Sequence, residues 1–191
     1  MNTTIVENYL SNVIKQFEYY KLLGEKTFDQ LKDEALFYQF NTECNSIAII
    51  VKHLWGNMKS RWTDFLTTDG EKDFRDRDTE FELDFKTKEE LINQWNEGWS
   101  ILFEALDNIN ESNFNQIIYI RNQGHTITEA INRQLAHYSY HIGQIVYIGK
   151  MTKEKAWQSL SIPKGESKTY NKTKFSKSKS KSHFTDEFLK E

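Results

Sequence analysis

Three times in this chain a threonine is followed, three residues later, by a glutamate at the head of an apolar stripe: Thr4 with Glu7, Thr87 with Glu90, and Thr126 with Glu129. The threonine hydroxyl accepts from the backbone N–H of the third helical residue, and the glutamate reaches back to the threonine N–H. Each pair therefore specifies a helix start twice over. Behind Thr4, the residues Ile5, Tyr9, Val13, Phe17 and Tyr20 recur at threes and fours. They predict a first helix from about Thr4 to Leu31, weakened at Gly24. Asn45 or Ser46 caps a second helix through roughly Phe65, with Ile47, Ile50, Val51, Leu54, Met58 and Trp62 on its apolar face. A third runs from Thr87 to about Ile109 around Leu91, Trp95, Trp99, Leu102 and Leu106. The last, Thr126 to about Gly149, carries Ile127, Ile131, Leu135, Tyr138, Ile142 and Ile145. One proline and eight glycines in 191 residues leave few interruptions. Four broad apolar faces must find partners, and the economical packing is an all-α four-helix bundle.

The connections carry their own signals. Glu34 to Glu43 reads as a loop. Thr67 to Phe85 is highly charged and, at about twenty residues, long for a link within a compact domain. Its interleaved Phe74, Phe81, Leu83 and Phe85 indicate that it packs. Phe114 to Ile120, followed by Asn122-Gln123-Gly124, reads as a short hairpin before the last helix. The longer connections after the second and third helices leave room for crossover wiring. Trp157 anchors a short helix within Lys153 to Leu160, and Ser161 to Gly165 breaks the pattern. The division expected is a bundle over residues 1–165 and a basic C-terminal tail over residues 166–191. In the tail, Lys168 to Ser182 has little to bury and reads as extended or partly disordered, while Phe184 to Leu189 can form a last turn if docked.

Charge and composition exclude several classes. The net charge of −3 gives no general pull towards nucleic acid. The tail from Pro163 onward holds eight lysines against four acids, but it lacks regular aromatic interleaving, so a solvated tail is favoured over nucleic-acid binding. No stretch approaches the roughly 18 apolar residues of a membrane span, and Met1 to Leu10 lacks the pattern of a signal peptide. The single cysteine, Cys44, fits a reducing, cytoplasmic setting. With no base in sight beside it, Cys44 is expected to be a small buried residue.

The chemistry-bearing feature is His137-Tyr138-Ser139-Tyr140-His141. Histidines four apart on a helix share one face, and two imidazoles one turn apart can hold one metal ion. His53, on another predicted helix, can supply a third. An HxxxH pair also arises by chance, and a helix-edge histidine that is merely hydrogen-bonded is the competing reading. No glutamate follows the first histidine, so the metalloprotease HExxH pattern is absent. Asn57 lies one turn after His53 and Arg61 two turns after. Arg133 and Gln134 lie one turn before His137, and Gln144 near His141. These can orient imidazoles or bind an anionic group, unless they form an ordinary solvated network. Tyr138 is assigned to the core and Tyr140 to a pocket wall; His125 is expected to be solvated or hydrogen-bonded, and His183 solvated.

The segments Val51-Lys52-His53-Leu54-Trp55-Gly56-Asn57 and Arg133 to Gln144 resemble the DinB-like (YfiT-like) metalloenzyme superfamily. The resemblance spans roughly Thr4 to Gly165. Asn57 to Lys72 and Ser159 to Gly165 are similar to a bacterial branch of unassigned function. The resemblance implies a four-helix bundle with crossover connections, frequent homodimers, and a divalent metal such as zinc or nickel on His53, His137 and His141. Characterised members include bacillithiol S-transferases and mycothiol-dependent enzymes, which hold a low-molecular-weight thiol as thiolate on the metal. The expectation is therefore a metal-dependent, thiol S-transferase-like enzyme taking a thiol such as bacillithiol and an electrophile. Arg61, Arg133 or the Arg75/Arg77 loop would hold the thiol's carboxylates. The alternative is a non-catalytic, dimeric, stress-related metal-binding protein with a structural ion. A fourth protein ligand would favour that alternative, and an open position the enzyme.

Overall fold

The computed structural model describes residues 3–189; the first and last two residues, at the ends of the expected bundle and tail, lie outside the described residues. Four long helices form an all-α bundle: α1 (Ile5–Gln30), α3 (Ile47–Trp62), α4 (Lys88–Asp107) and α5 (Ile127–Lys153). A short α2 (Asp33–Phe37) replaces part of the expected Glu34–Glu43 loop. All three threonine–glutamate pairs close as capping boxes, at the starts of α1, α4 and α5, and Ser46 caps α3.

The helices pair as α3 with α4 and α1 with α5, with lesser contacts between α3 and α5 and between α1 and α4. Round the bundle the order is thus α1, α5, α3, α4, which sets α1 diagonal to α3 and α4 diagonal to α5. The crossovers are the 31–46 connection and the 108–126 connection. The long segment after α3 joins neighbours instead. It folds back on α3 through a 3₁₀ turn at Thr79–Phe81.

Helix α3 is buried at every position except Trp55 and Lys59, because the segment after it covers the side that the bundle leaves open. Around it the core is aromatic. Phe28 meets Trp95 edge-on at 5.0 Å, and Trp95 meets Trp99 at 5.4 Å. Helix α1 runs unbroken through Gly24, where the Trp95 ring lies in the place a Cβ would take.

Strands β1 (Ile117–Ile120) and β2 (Gln123–Thr126) form the hairpin, with Ile120 opposite Gln123. Its turn is Arg121-Asn122, both at positive φ, one residue earlier than the Asn122-Gly124 signal suggests. The Asp69 carboxylate accepts both turn N–H groups at 2.8 Å, and Gly70 N–H donates to Tyr119 C=O at 2.8 Å. A type I′ turn is thereby held from outside the hairpin.

In the tail, α6 (Ser167–Phe175) is helical where the composition argues for an extended arm, and it buries no residue. The last turn, Phe184–Glu187, docks on α1. Lys15 pairs with Asp186 at 2.6 Å, and the Tyr19 ring packs against Phe184 and Phe188. Neither of the two remaining histidines is fully solvated. His183 is half-buried as the cap of that turn, bonding Thr185 through Nδ1, and His125 has its Nε2 shielded within β2. Cys44 is exposed rather than buried, because it sits in a surface turn held by Asn41 ahead of the α3 cap. Among the described residues, no helix is long and apolar enough to cross a membrane.

Candidate metal centre

Helix α3 delivers His53 and helix α5 delivers His137 and His141 to one point. The Nε2 atoms of His53 and His137 are 3.3 Å apart, and those of His137 and His141 3.1 Å apart. One donor nitrogen from each of the three residues lies within 4.8 Å of the others. Nitrogens bonded to a tetrahedral zinc at about 2.0–2.1 Å stand about 3.4 Å apart, so these spacings suit a single ion. No other histidine, cysteine or carboxylate among the described residues joins the cluster.

The outer nitrogens fix the tautomers. His53 Nδ1 bonds Glu80 Oε2 at 2.8 Å, and a carboxylate can only accept, so Nδ1 carries the proton and Nε2 a lone pair. His141 Nδ1 bonds Gln144 Oε1 at 2.7 Å, which leaves its Nε2 free in the same way. Burial, and then the neighbouring His141 and His53, push the His137 pKa down to about 3. Burial lowers His141 to about 4, against the opposing Gln144 hydrogen bond. Both are neutral near pH 7, the state in which an imidazole binds a cation.

The Thr67–Phe85 segment builds the wall around His53. Arg75 grips Glu80 with a two-pronged contact, Nε to Oε1 at 2.7 Å and Nη2 to Oε2 at 3.0 Å. Both side chains are nearly sealed from water. Burial alone would raise the Glu80 carboxyl, but the hydrogen bonds from His53 and Arg75 outweigh it and hold it below its ordinary range. Phe81 stacks on the His53 ring at 4.9 Å. Lys52, the preceding residue of α3, pins the same loop by donating to Thr79 C=O, Glu82 C=O and the Asp84 carboxylate. Gly56 has a specific reason to lack a side chain, since the Glu80 carboxylate occupies the position its Cβ would take.

The histidines open onto a pocket of about 360 Å³. Asn57, Arg61, Arg75, Arg77 and Arg133, all singled out in the sequence, line it, as does Gln134. Gln144 instead orients His141 and faces an apolar groove of about 720 Å³ walled by Tyr38, Phe40, Tyr147 and Met151. Tyr140 does not line the histidine pocket: it is 63% exposed, with its ring edge-on to His141. Positions i and i+1 on a helix point about 100° apart, so a residue beside His141 turns off the shared face. Sequence reasoning missed Glu80, Glu71 and Arg121. Glu71 takes contacts of 3.1 Å from both Arg61 and Arg121, tying the hairpin to α3. The charged run after α3 was a signal for them, but such a run does not say which acid meets which base.

Residues 4–166 match the family model described as a protein of unknown function (DUF1572). No curated protein and no solved structure matches the chain. With a helical bundle, a three-histidine cluster and a family match over most of its length, this chain belongs to the DUF1572 family.

Proposed function

We propose that this protein is a divalent-metal-dependent enzyme of the DinB-like (YfiT-like) superfamily, with His53, His137 and His141 as ligands and a thiol S-transferase-like activity. The observation that carries this is the convergence of three Nε2 atoms with no fourth protein ligand among the described residues. Catalytic zinc sites keep such a position for water or substrate. Zinc or nickel suits an all-imidazole donor set. A bound ion would supply Lewis acidity, lowering the pKa of a thiol brought to the open position. In transfer, the sulfur–carbon bond forms as the electrophile's leaving group departs with the bonding electrons, and the thiol proton passes to solvent.

The chain's own contribution is orientation. Glu80 and Gln144 aim two of the imidazoles, and Phe81 shields the face of His53. The exposed apolar groove beside Gln144 supports two further parts of the proposal: seating of an apolar electrophile, or contact with a second copy in a homodimer.

Elemental analysis of the purified protein without chelator tests the centre. One equivalent of metal in wild type, lost in His137→Ala, is expected; a metal-free wild type refutes it. Turnover of an electrophile with bacillithiol, glutathione or cysteine then tests transfer. Full metal content with no turnover on any thiol would favour the structural-ion alternative.

A further inference from the structure

The pocket over the histidines is cationic beyond what its own carboxylates can balance. Five of its eleven lining residues are arginine, and none is acidic. Three of the five are already committed. Arg75 is bound to Glu80, while Arg61 and Arg121 share Glu71. Arg77 and Arg133 form no ion pair among the described residues, and both are exposed. Arg77 is also placed: its guanidinium lies 5.4 Å from the Phe81 ring, which itself stacks on His53.

Deeper in the pocket, two buried polar atoms have no partner. Arg61 is 6% exposed and its Nε is unbonded; Gln134 is 3% exposed and its Oε1 is unbonded. A buried donor or acceptor left unpaired costs about 1–3 kcal/mol, so such atoms in a pocket wall point to a ligand or water that satisfies them. A third group has its polarity set by a chain of hydrogen bonds. Trp62 Nε1 can only donate, and it donates to Tyr138 Oη at 3.0 Å. Tyr138 therefore gives its own proton to Asn57 Oδ1, also at 3.0 Å. That orients the Asn57 amide so that its NH₂ is left for the pocket, which Asn57 lines.

Resting on the metal-dependent reading above, we propose that the substrate or thiol taken here carries a dianionic head group, a phosphate monoester or a dicarboxylate. Arg77 and Arg133 neutralise it, Arg61 Nε and the Asn57 amide donate to its oxygens, and Gln134 Oε1 accepts from a hydroxyl or N–H beside it. Two guanidiniums without ion-pair partners on one pocket wall call for two negative charges. The forked donors favour a group with several oxygens over a single charge point. A pocket of this volume admits a head group but not a nucleic-acid strand.

Calorimetric titration of inorganic phosphate, succinate and acetate tests this. Each is run against chelator-stripped and zinc-loaded full-length protein, with metal content measured in parallel. At least one dianion is expected to bind about tenfold or more tightly than acetate, and which one distinguishes phosphate from dicarboxylate. The R77Q/R133Q double variant, altered only at exposed side chains and checked for unchanged helicity, is expected to lose about tenfold or more of that affinity. No dianion binding by either form of wild type, or undiminished binding by the double variant, overturns the proposal. Full metal content without dianion binding refutes this inference alone. Dianion binding by a protein that holds no zinc refutes the metal centre and leaves the anion site standing.

Discussion

His53 is clamped from several sides, whereas His137 and His141 are held chiefly by the helix that carries them. The first imidazole is 5% exposed, bonded to a carboxylate that is itself gripped by Arg75, and covered by Phe81. The pair on α5 is only half-buried; His141 has a neutral amide behind it, and the His137 Nδ1 has no hydrogen-bond partner among the described residues. The difference follows from geometry. One helical turn already sets two α5 imidazoles side by side. Nothing local relates α3 to α5, so the lone histidine needs a rigid wall to aim it.

Removing a ligand from either arm should erase this contrast. His53→Ala and His137→Ala are each expected to reduce bound metal from about one equivalent to near zero, read by elemental analysis after dialysis. Retention of metal by either variant would mean that the three nitrogens are not the site.

Loss of the supporting groups should separate the two arms. Glu80→Gln keeps the shape but removes the two-pronged charge partner of the buried Arg75 guanidinium, leaving it the longer 3.6 Å contact to Glu71. It is expected to cost about 3 kcal/mol of stability in chemical denaturation and about 10–100-fold in zinc affinity by competition with a chelating dye. A stability change below about 0.5 kcal/mol would show that the Arg75–Glu80 pair does not hold the wall.

The pH dependence isolates the α5 arm. The His137 and His141 pKa values are depressed from 6.5 to about 3 and about 4. As pH falls, the unfolded chain therefore takes up protons first. The stability of metal-free protein should be greatest above about pH 6.5 and fall steadily towards pH 4. Glu80, also depressed, adds loss of the same sign, but only below its ordinary 4.5. Urea midpoints at pH 7, 5.5 and 4.5 measure the slope. In a His137→Gln/His141→Gln double variant the slope between pH 6.5 and 4.5 should flatten, and an unchanged slope would assign it elsewhere.

The smallest effect is expected at Gln144→Ala. Its amide is neutral and sits on a half-exposed imidazole, so zinc affinity should fall by about tenfold at most, with stability within about 0.5 kcal/mol. A loss as large as that of Glu80→Gln would abolish the distinction between the arms.

The legibility of the site divides along the same line. Helix starts were readable because a capping box is local: Thr4, Thr87 and Thr126 bond residues three positions away. The α5 pair was readable for the same reason. Glu80 was not, because its partners His53 and Arg75 are 27 and 5 residues away in a segment without periodicity. The hairpin turn moved to Arg121-Asn122 because Asp69, more than fifty residues earlier, supplies its acceptor. Cys44 was misjudged because small apolar residues are commonly buried, while the exposure of its turn depends on packing.

The sequence by itself determined where the four long helices begin, which faces are apolar, and that His137 and His141 share one helix face, since capping and helical periodicity act within a few residues. Tertiary structure alone decided that the charged segment after α3 folds back instead of crossing. It also decided that Glu80 occupies the space over Gly56, and that Arg61, Arg75 and Arg121 are committed while Arg77 and Arg133 stay free. Those outcomes depend on competition among carboxylates and guanidiniums for partners distant in the chain, and only the packed bundle sets the distances that settle it.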